Sequence, residues 1–355
     1  MDRSREILLK KINKRKKRAS RGKAWLYVII FVLLFGIGLS AGAILYAKLQ
    51  PAEIMPSQDE TSSITAFKEQ VNTDDAPDKA EETKPQPQTH SSVLLKLKDS
   101  FVRTLQEKYP GTEVSILIKD LDTGAKAIHN NKKLNSASMI KLFIMETVYK
   151  QTEAGEYELT DEKQKALERM ITESHNKSAT VFIDDFGGVS ERRKVEASNI
   201  INKTIADSGY AHTELNRKMH DTTPPEGPSG YENYTCVEDV AVLLEGIYNK
   251  TLFEQPYNTH ALELLKKQQR TTKIPAKISE VYPDVIVANK TGELSQVEND
   301  AALIMSEDFN LIFVIMVNDI PKKADGSTDY KLKEKVQETI SELALELVEA
   351  YKNRK

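Results

Sequence analysis

One cysteine in 355 residues, Cys236, excludes an intrachain disulfide and any Cys-based metal cluster, so side-chain packing must hold the fold. The six histidines show no H-E-x-x-H or comparable ligand spacing, and neither a metal nor another cofactor is expected. Neither sign of charge dominates: 50 Lys and Arg stand against 53 Asp and Glu, a formal net charge of -3. The basic residues that do cluster lie in residues 1–23. No basic stripe follows them, which removes nucleic acid from the expected partners. Apolar and charged residues are present in ordinary proportion, 39% and 29%, and the length allows one large core or two smaller ones.

A single long apolar run breaks this pattern. Ala24 to Ala47 carries no charged residue, and at about 1.5 Å per residue it can cross a hydrocarbon core of about 30 Å. Trp25, Tyr27 and Tyr46 sit near its ends, where aromatic rings favour the membrane interfaces, and the preceding Lys/Arg cluster should stay cytoplasmic. The expected organisation is a basic cytoplasmic segment (1–23), an N-terminal transmembrane helix (24–48), a disordered linker (49–92) and a globular domain (93–355). The linker stretch is acidic and rich in Pro, Ser, Thr and Gln, too polar to bury the surface that ordering requires. A signal peptide cleaved near Ala41-Gly42-Ala43 is the competing reading. The run exceeds the roughly 7 to 15 apolar residues of a signal core, which favours the anchor. The domain is then extracellular on a single-pass membrane protein, and it is expected to be a monomer.

Within the domain, Val93 to Tyr109 has the apolar spacing of a helix, and Glu113 to Leu121 alternates like a strand before the turn Asp122-Thr123-Gly124 and a second strand. A helical stretch runs from about Ser138 to Lys250. Asp284 to Asn289, Ala301 to Met305 and Leu311 to Val317 read as three more strands, and Asp329 to Tyr351 as an amphipathic helix. Terminal helices thus bracket a five-stranded, mostly antiparallel sheet, with a helical subdomain inserted after the second strand and a cleft where it meets the sheet edge.

Three short motifs carry chemistry. Ser138-Met139-Ile140-Lys141 opens a helix, with Asn135 or Ser136 as N-cap, so the Lys141 amine at i+3 can lie beside the Ser138 hydroxyl. A serine hydroxyl becomes a nucleophile only when a base takes its proton. Ser174-His175-Asn176 follows a helical segment and presents a hydroxyl and an amide. Lys290-Thr291-Gly292 ends a strand; its cation and hydroxyl suit a substrate carboxylate, and its glycine permits close backbone approach. S-x-x-K alone is expected about once per 200 residues by composition. The three in this order, on a helix start, a helical-subdomain loop and a sheet edge, point to a serine acyl-transfer site.

This set resembles that of the class A β-lactamases and penicillin-binding serine hydrolases, over about Val93 to Tyr351. The resemblance implies a three-layer α/β/α domain beside an all-α subdomain. It implies Ser138 as nucleophile, Lys141 as general base, Ser174 as proton relay and Asn176 as a hydrogen-bonding partner of the substrate. Lys290, Thr291 and Gly292 would form the carboxylate seat, and the amides of Ser138 and Glu293 the oxyanion hole. The implied substrate is a β-lactam or a D-Ala-D-Ala-type peptide; the alternatives to a β-lactamase are a D,D-peptidase-like cell-wall enzyme or a non-enzymatic β-lactam sensor. One departure concerns the glutamate that activates the deacylating water. Aligned on Thr213-Glu214-Leu215-Asn216-Arg217, its place falls on Met219; aligned on Glu214-Leu215-Asn216 as E-L-N, it falls on His212. His220, Asp221, Glu226 and Glu232 lie nearby without alignment. Asn-x-Ser/Thr at Asn176 and Asn289 would place glycans on two motifs, which favours a bacterial cell.

Overall fold

A computed structural model describes residues 90–190, 194–219 and 232–354, all within one compact unit, Glu82–Lys355. The basic segment, the apolar run, most of the linker stretch, His220, Asp221 and Glu226 lie outside the described residues. Among the described helices none is long and apolar enough to cross a membrane.

Helix α1 (His90–Lys108) buries one stripe, Leu94, Leu97, Phe101, Val102 and Leu105, and starts inside the stretch read as linker. Strands β1 (Glu113–Asp120) and β2 (Lys126–His129) form the expected hairpin. The Asp120 carboxylate accepts from the Asp122 and Thr123 amides in its turn, and Gly124 takes φ +74°. Strand β3 (Leu134–Asn135) leads through a 3-10 turn (Ala137–Met139) into α2 (Ile140–Glu153). Every residue of α2 from Ile140 to Tyr149 is buried, as in a helix surrounded by others. Helices α3 (Asp161–Thr172), α4 (Asn176–Asp185) and α5 (Ile200–Asp207) are capped by the side chains of Thr160, His175 and Asn199. Strand β4 (Tyr234–Thr235) pairs with β3, and α6 (Val237–Tyr248) and α7 (Tyr257–Lys266) complete the helical region. Among the described residues, the single helical stretch expected from Ser138 to Lys250 is instead five helices with strand β4 between the last two. Two-residue strands have no periodicity to read.

Helix α8 (Ile274–Val281), strands β5 (Ile286–Leu294), β6 (Val297–Met305) and β7 (Asn310–Asn318), and helix α9 (Tyr330–Lys352) close the chain. The sheet order is β2-β1-β7-β6-β5, antiparallel throughout. Side chains of β7 divide between two cores. Leu311, Phe313, Ile315 and Val317 join α1, α8 and α9 on one face; Ile312, Val314 and Met316 join α6 and the helical region on the other. Each such side chain contributes roughly 1.5–3 kcal/mol by leaving water. The architecture is the expected α/β/α arrangement with a five-stranded antiparallel sheet and a separate all-α region.

Strand β5 lies at the sheet edge, against the 3-10 turn and α7. It is longer than Asp284–Asn289: the β5–β6 ladder continues to Leu294↔Val297, so Lys290-Thr291-Gly292 lies within the strand instead of after it. Its polar residues, Asn289, Lys290, Thr291 and Glu293, hid the strand from a reading based on apolar alternation.

Candidate active site

The turn that carries Ser138 is fixed from both sides. The Asn135 side chain accepts from the Ala137 amide at 3.0 Å, while the Ser136 hydroxyl donates instead to the Asn233 carbonyl at 2.9 Å. Neither cap candidate caps α2, whose N-cap is Met139 without a side-chain hydrogen bond; Ser136 is the N-cap of the preceding 3-10 turn, also without one, and Asn135 braces that turn from the position before it. Ser138 itself lies in the 3-10 turn, one residue before the N-cap of α2. Ala137 has φ +46° and Ser174 φ +59°, left-handed values that cost a non-glycine residue about 1 kcal/mol or more. Both strained residues touch this site.

The three motifs converge. Lys141, fully buried, places Nζ 3.0 Å from Ser138 Oγ, 2.6 Å from the Ser174 carbonyl, 3.3 Å from Ser174 Oγ and 2.7 Å from Asn176 Oδ1. Lys290 Nζ, also fully buried, donates to Ser174 Oγ at 2.9 Å and to the Thr291 carbonyl at 2.9 Å. One hydroxyl thus stands between two amines. Burial lowers the Lys290 pKa to about 7; Arg270 and Lys273 act in the same direction, and Asp300 and Glu293 oppose them. Thr291 is buried beside it. Gly292 is required by packing: a Cβ there would meet the Ser136 carbonyl oxygen at 2.6 Å and Ala137 Cβ at 3.3 Å. The glycine lets β5 touch the turn that bears Ser138.

A cleft opens here, bordered by Ser138, Asn176, Asn233, Glu293, Met219 and Glu232 among others. The pattern of the β-lactamase enzyme family matches residues 96–164 and 162–351. The chain belongs to that family. The family fold recurs in solved structures. A β-lactamase from Sphaerobacter thermophilus is 22% identical, with a TM-score of 0.57 over 71% of this chain and 98% of its own. A β-lactamase from Chitinophaga pinensis is 15% identical (TM-score 0.58; 72% and 99% covered), and PBP-A is 20% identical (0.54; 72% and 97%). A search of curated proteins finds no match.

The two alignments of the family's water-activating position diverge in space. Met219 borders the cleft together with Ser138; its carbonyl accepts from Thr180 Oγ1 at 2.7 Å, and its sulfur accepts from Asn233 Nδ2 at 3.4 Å. The His212 amide donates to Asp239 Oδ2 at the start of α6, and its ring groups with Cys236 and Asp239, away from the residues bordering the cleft. Glu232 does border the cleft, bound to Arg217 at 2.8 Å. Short motifs hold no signal for Asn233 or for the pairing of Arg217 with Glu232. Glu293, selected for its amide, also uses its carboxylate: it binds Lys273 at 2.8 Å and Arg270 at 3.1 Å. These cations overcome the effect of burial and hold its pKa below the ordinary value.

Proposed function

We propose that the domain is an extracytoplasmic serine hydrolase acylated by β-lactams at Ser138, anchored in a bacterial membrane through residues 24–48. One observation carries the chemistry: the surroundings of Lys141 Nζ, with Ser138 Oγ at 3.0 Å and two carbonyl-type acceptors at 2.6 and 2.7 Å. Those two oxygens can only accept. A neutral amine has two N–H bonds to offer those oxygens and one lone pair for a hydroxyl, of which Ser138 Oγ at 3.0 Å is nearer than Ser174 Oγ at 3.3 Å. Ser138 Oγ bonds to the lactam carbonyl carbon as its proton passes to Lys141. Collapse of the tetrahedral adduct breaks the C–N bond, and the proton reaches the leaving nitrogen through Ser174. The amides of Ser138 and Glu293 stabilise the oxyanion; a missing donor of this kind typically costs about 2.7–4 kcal/mol. Lys290 and Thr291 hold the substrate carboxylate, Gly292 brings their strand against Ser138, and Asn176 hydrogen-bonds the substrate. PBP-A, similar in fold, forms an acyl-enzyme complex with penicillin G in its L158E mutant.

Met219 favours a second feature. A thioether cannot accept a proton from water, so the acyl-enzyme should hydrolyse slowly, as suits a D,D-peptidase-like enzyme or a sensor as well as a weak β-lactamase. Incubating the full chain with penicillin and following intact mass tests both points. One adduct per chain is expected, on Ser138, absent in Ser138→Ala and decaying slowly. Labelling that survives Ser138→Ala, or that maps to Ser174, removes the proposed nucleophile; decay within the dead time removes slow turnover.

A further inference from the structure

Glu293 and Glu298 stand directly opposite each other in the β5–β6 ladder, one pair before its end. Like charges so placed repel and would splay the strands. A single ammonium lies between them: Lys273 Nζ is 2.8 Å from Glu293 Oε1 and 2.9 Å from Glu298 Oε2, with Lys273 and Glu298 fully buried. Lys273 precedes α8, and the next residue ties that helix to the sheet, the Ile274 amide donating to Asp300 Oδ2 at 3.0 Å. From α9, Lys333 faces Glu298 Oε1 at 3.0 Å and also donates to the Leu294 carbonyl, the last residue of β5. Groups from α8, β6 and α9 therefore converge on the final two residues of a strand that has a ladder partner on one side only.

We propose that Lys273 is a positioning residue for acyl transfer: by bridging Glu293 and Glu298 it fixes the end of β5 and so the direction of the Glu293 amide. The inference rests on the serine acyl-transfer reading above and adds to it a residue that no motif contains. Burial alone would lower the Lys273 pKa, but Glu298, Glu293 and Asp300 hold it above the ordinary value, so Lys273 is charged throughout the neutral range. A buried ion pair is weak as a device for stability, since apolar side chains of equal volume often serve as well. Here the charge has a particular task, holding two opposed carboxylates together at the strand end.

The test compares wild-type full chain with Lys273→Met and Lys273→Arg, using a fluorescent penicillin for the acylation rate and an arylboronic acid as a tetrahedral-adduct analogue. Removing an oxyanion donor costs roughly 10²- to 10³-fold. A misdirected one should slow Lys273→Met acylation by about 10- to 100-fold and weaken boronate binding by a similar factor, with endpoint labelling still near one per chain. Lys273→Arg should recover most of both. If the methionine variant does not fold, Glu293→Gln replaces it: Lys273 keeps Glu298 there, and a smaller loss in both readouts is expected. A lower melting temperature with unchanged acylation and boronate affinity would make Lys273 a structural residue only and overturn the proposal; so would slow acylation with unchanged boronate affinity. A wild-type chain that no penicillin labels overturns the serine reading along with it, whereas a labelled wild type beside an unaffected variant overturns this inference alone.

Discussion

Lys290 is an ammonium that burial has brought close to neutrality at physiological pH, with a pKa of about 7 against an ordinary 10.5. Only its charged form can hold a carboxylate, and the charge is lost as pH rises through about 7. The second-order acylation constant reports the free enzyme, so with a penicillin it should fall across that range, whereas a penicillin methyl ester should lack this limb. A flat profile for the free acid between pH 6 and 8 would count against Lys290 as the anion seat. The linkage to stability has the opposite sign to that of an ion-paired lysine. Between about pH 7 and 10.5 the unfolded chain binds the extra proton, so the contribution of Lys290 to stability rises with pH over that window. Met219 gives a second expectation. A positioned general base typically contributes about 10²- to 10⁴-fold. With a chromogenic cephalosporin the wild type should show a burst near one equivalent followed by a slow steady state, and Met219→Glu should raise the steady rate. Fast turnover without a burst would require another base, and Glu232, which borders the cleft, would be the first to examine.

The contact between β5 and the 3-10 turn joins the two halves of the site, and at Gly292 it leaves no room for a side chain. Adding a methyl group there sets Cβ against the Ser136 carbonyl oxygen at 2.6 Å, a separation that backbone atoms cannot relieve locally. Gly292→Ala should therefore push the strand and the turn apart. Overpacking of this kind typically costs about 1–3 kcal/mol, and thermal melting should show a drop of several degrees. Because the displaced turn carries Ser138, acylation should slow by more than the loss of folded protein explains; equal losses would mean that the contact serves stability alone. Neither helix α4 as a separate element nor its cap was legible from the sequence: the His175 ring accepts from the Ser178 amide at 3.3 Å, a role that serine or asparagine more commonly fills. The lengths of β3, β4 and β5 were equally hidden, since two-residue strands and polar edge strands lack the alternation that identifies longer ones.

For the whole chain, the predicted topology is open to a direct test. In intact cells an external protease should release the domain by cutting between Pro51 and Ser92, leaving a membrane-bound N-terminus. A mature N-terminus near Ala43 would identify a cleaved signal instead. Within the domain, the five strands of the large sheet, the terminal helices and the three motifs follow from local patterns, because apolar periodicity and short spacings are properties of neighbouring residues. Convergence is not such a property. Ser174 and Lys290 are 116 residues apart and meet at 2.9 Å. Lys273 reaches two glutamates only because the β5–β6 register sets them opposite each other and α8 packs over that end. That Met219, and not His212, borders the cleft with Ser138 likewise depended on how its loop folds back on Thr180 of α4 and on Asn233, just before β4. The chain's own periodicity determined which elements form and which residues could react. Packing between distant segments decided which of those residues share a site, since burial, register and close approach arise only when the layers come together.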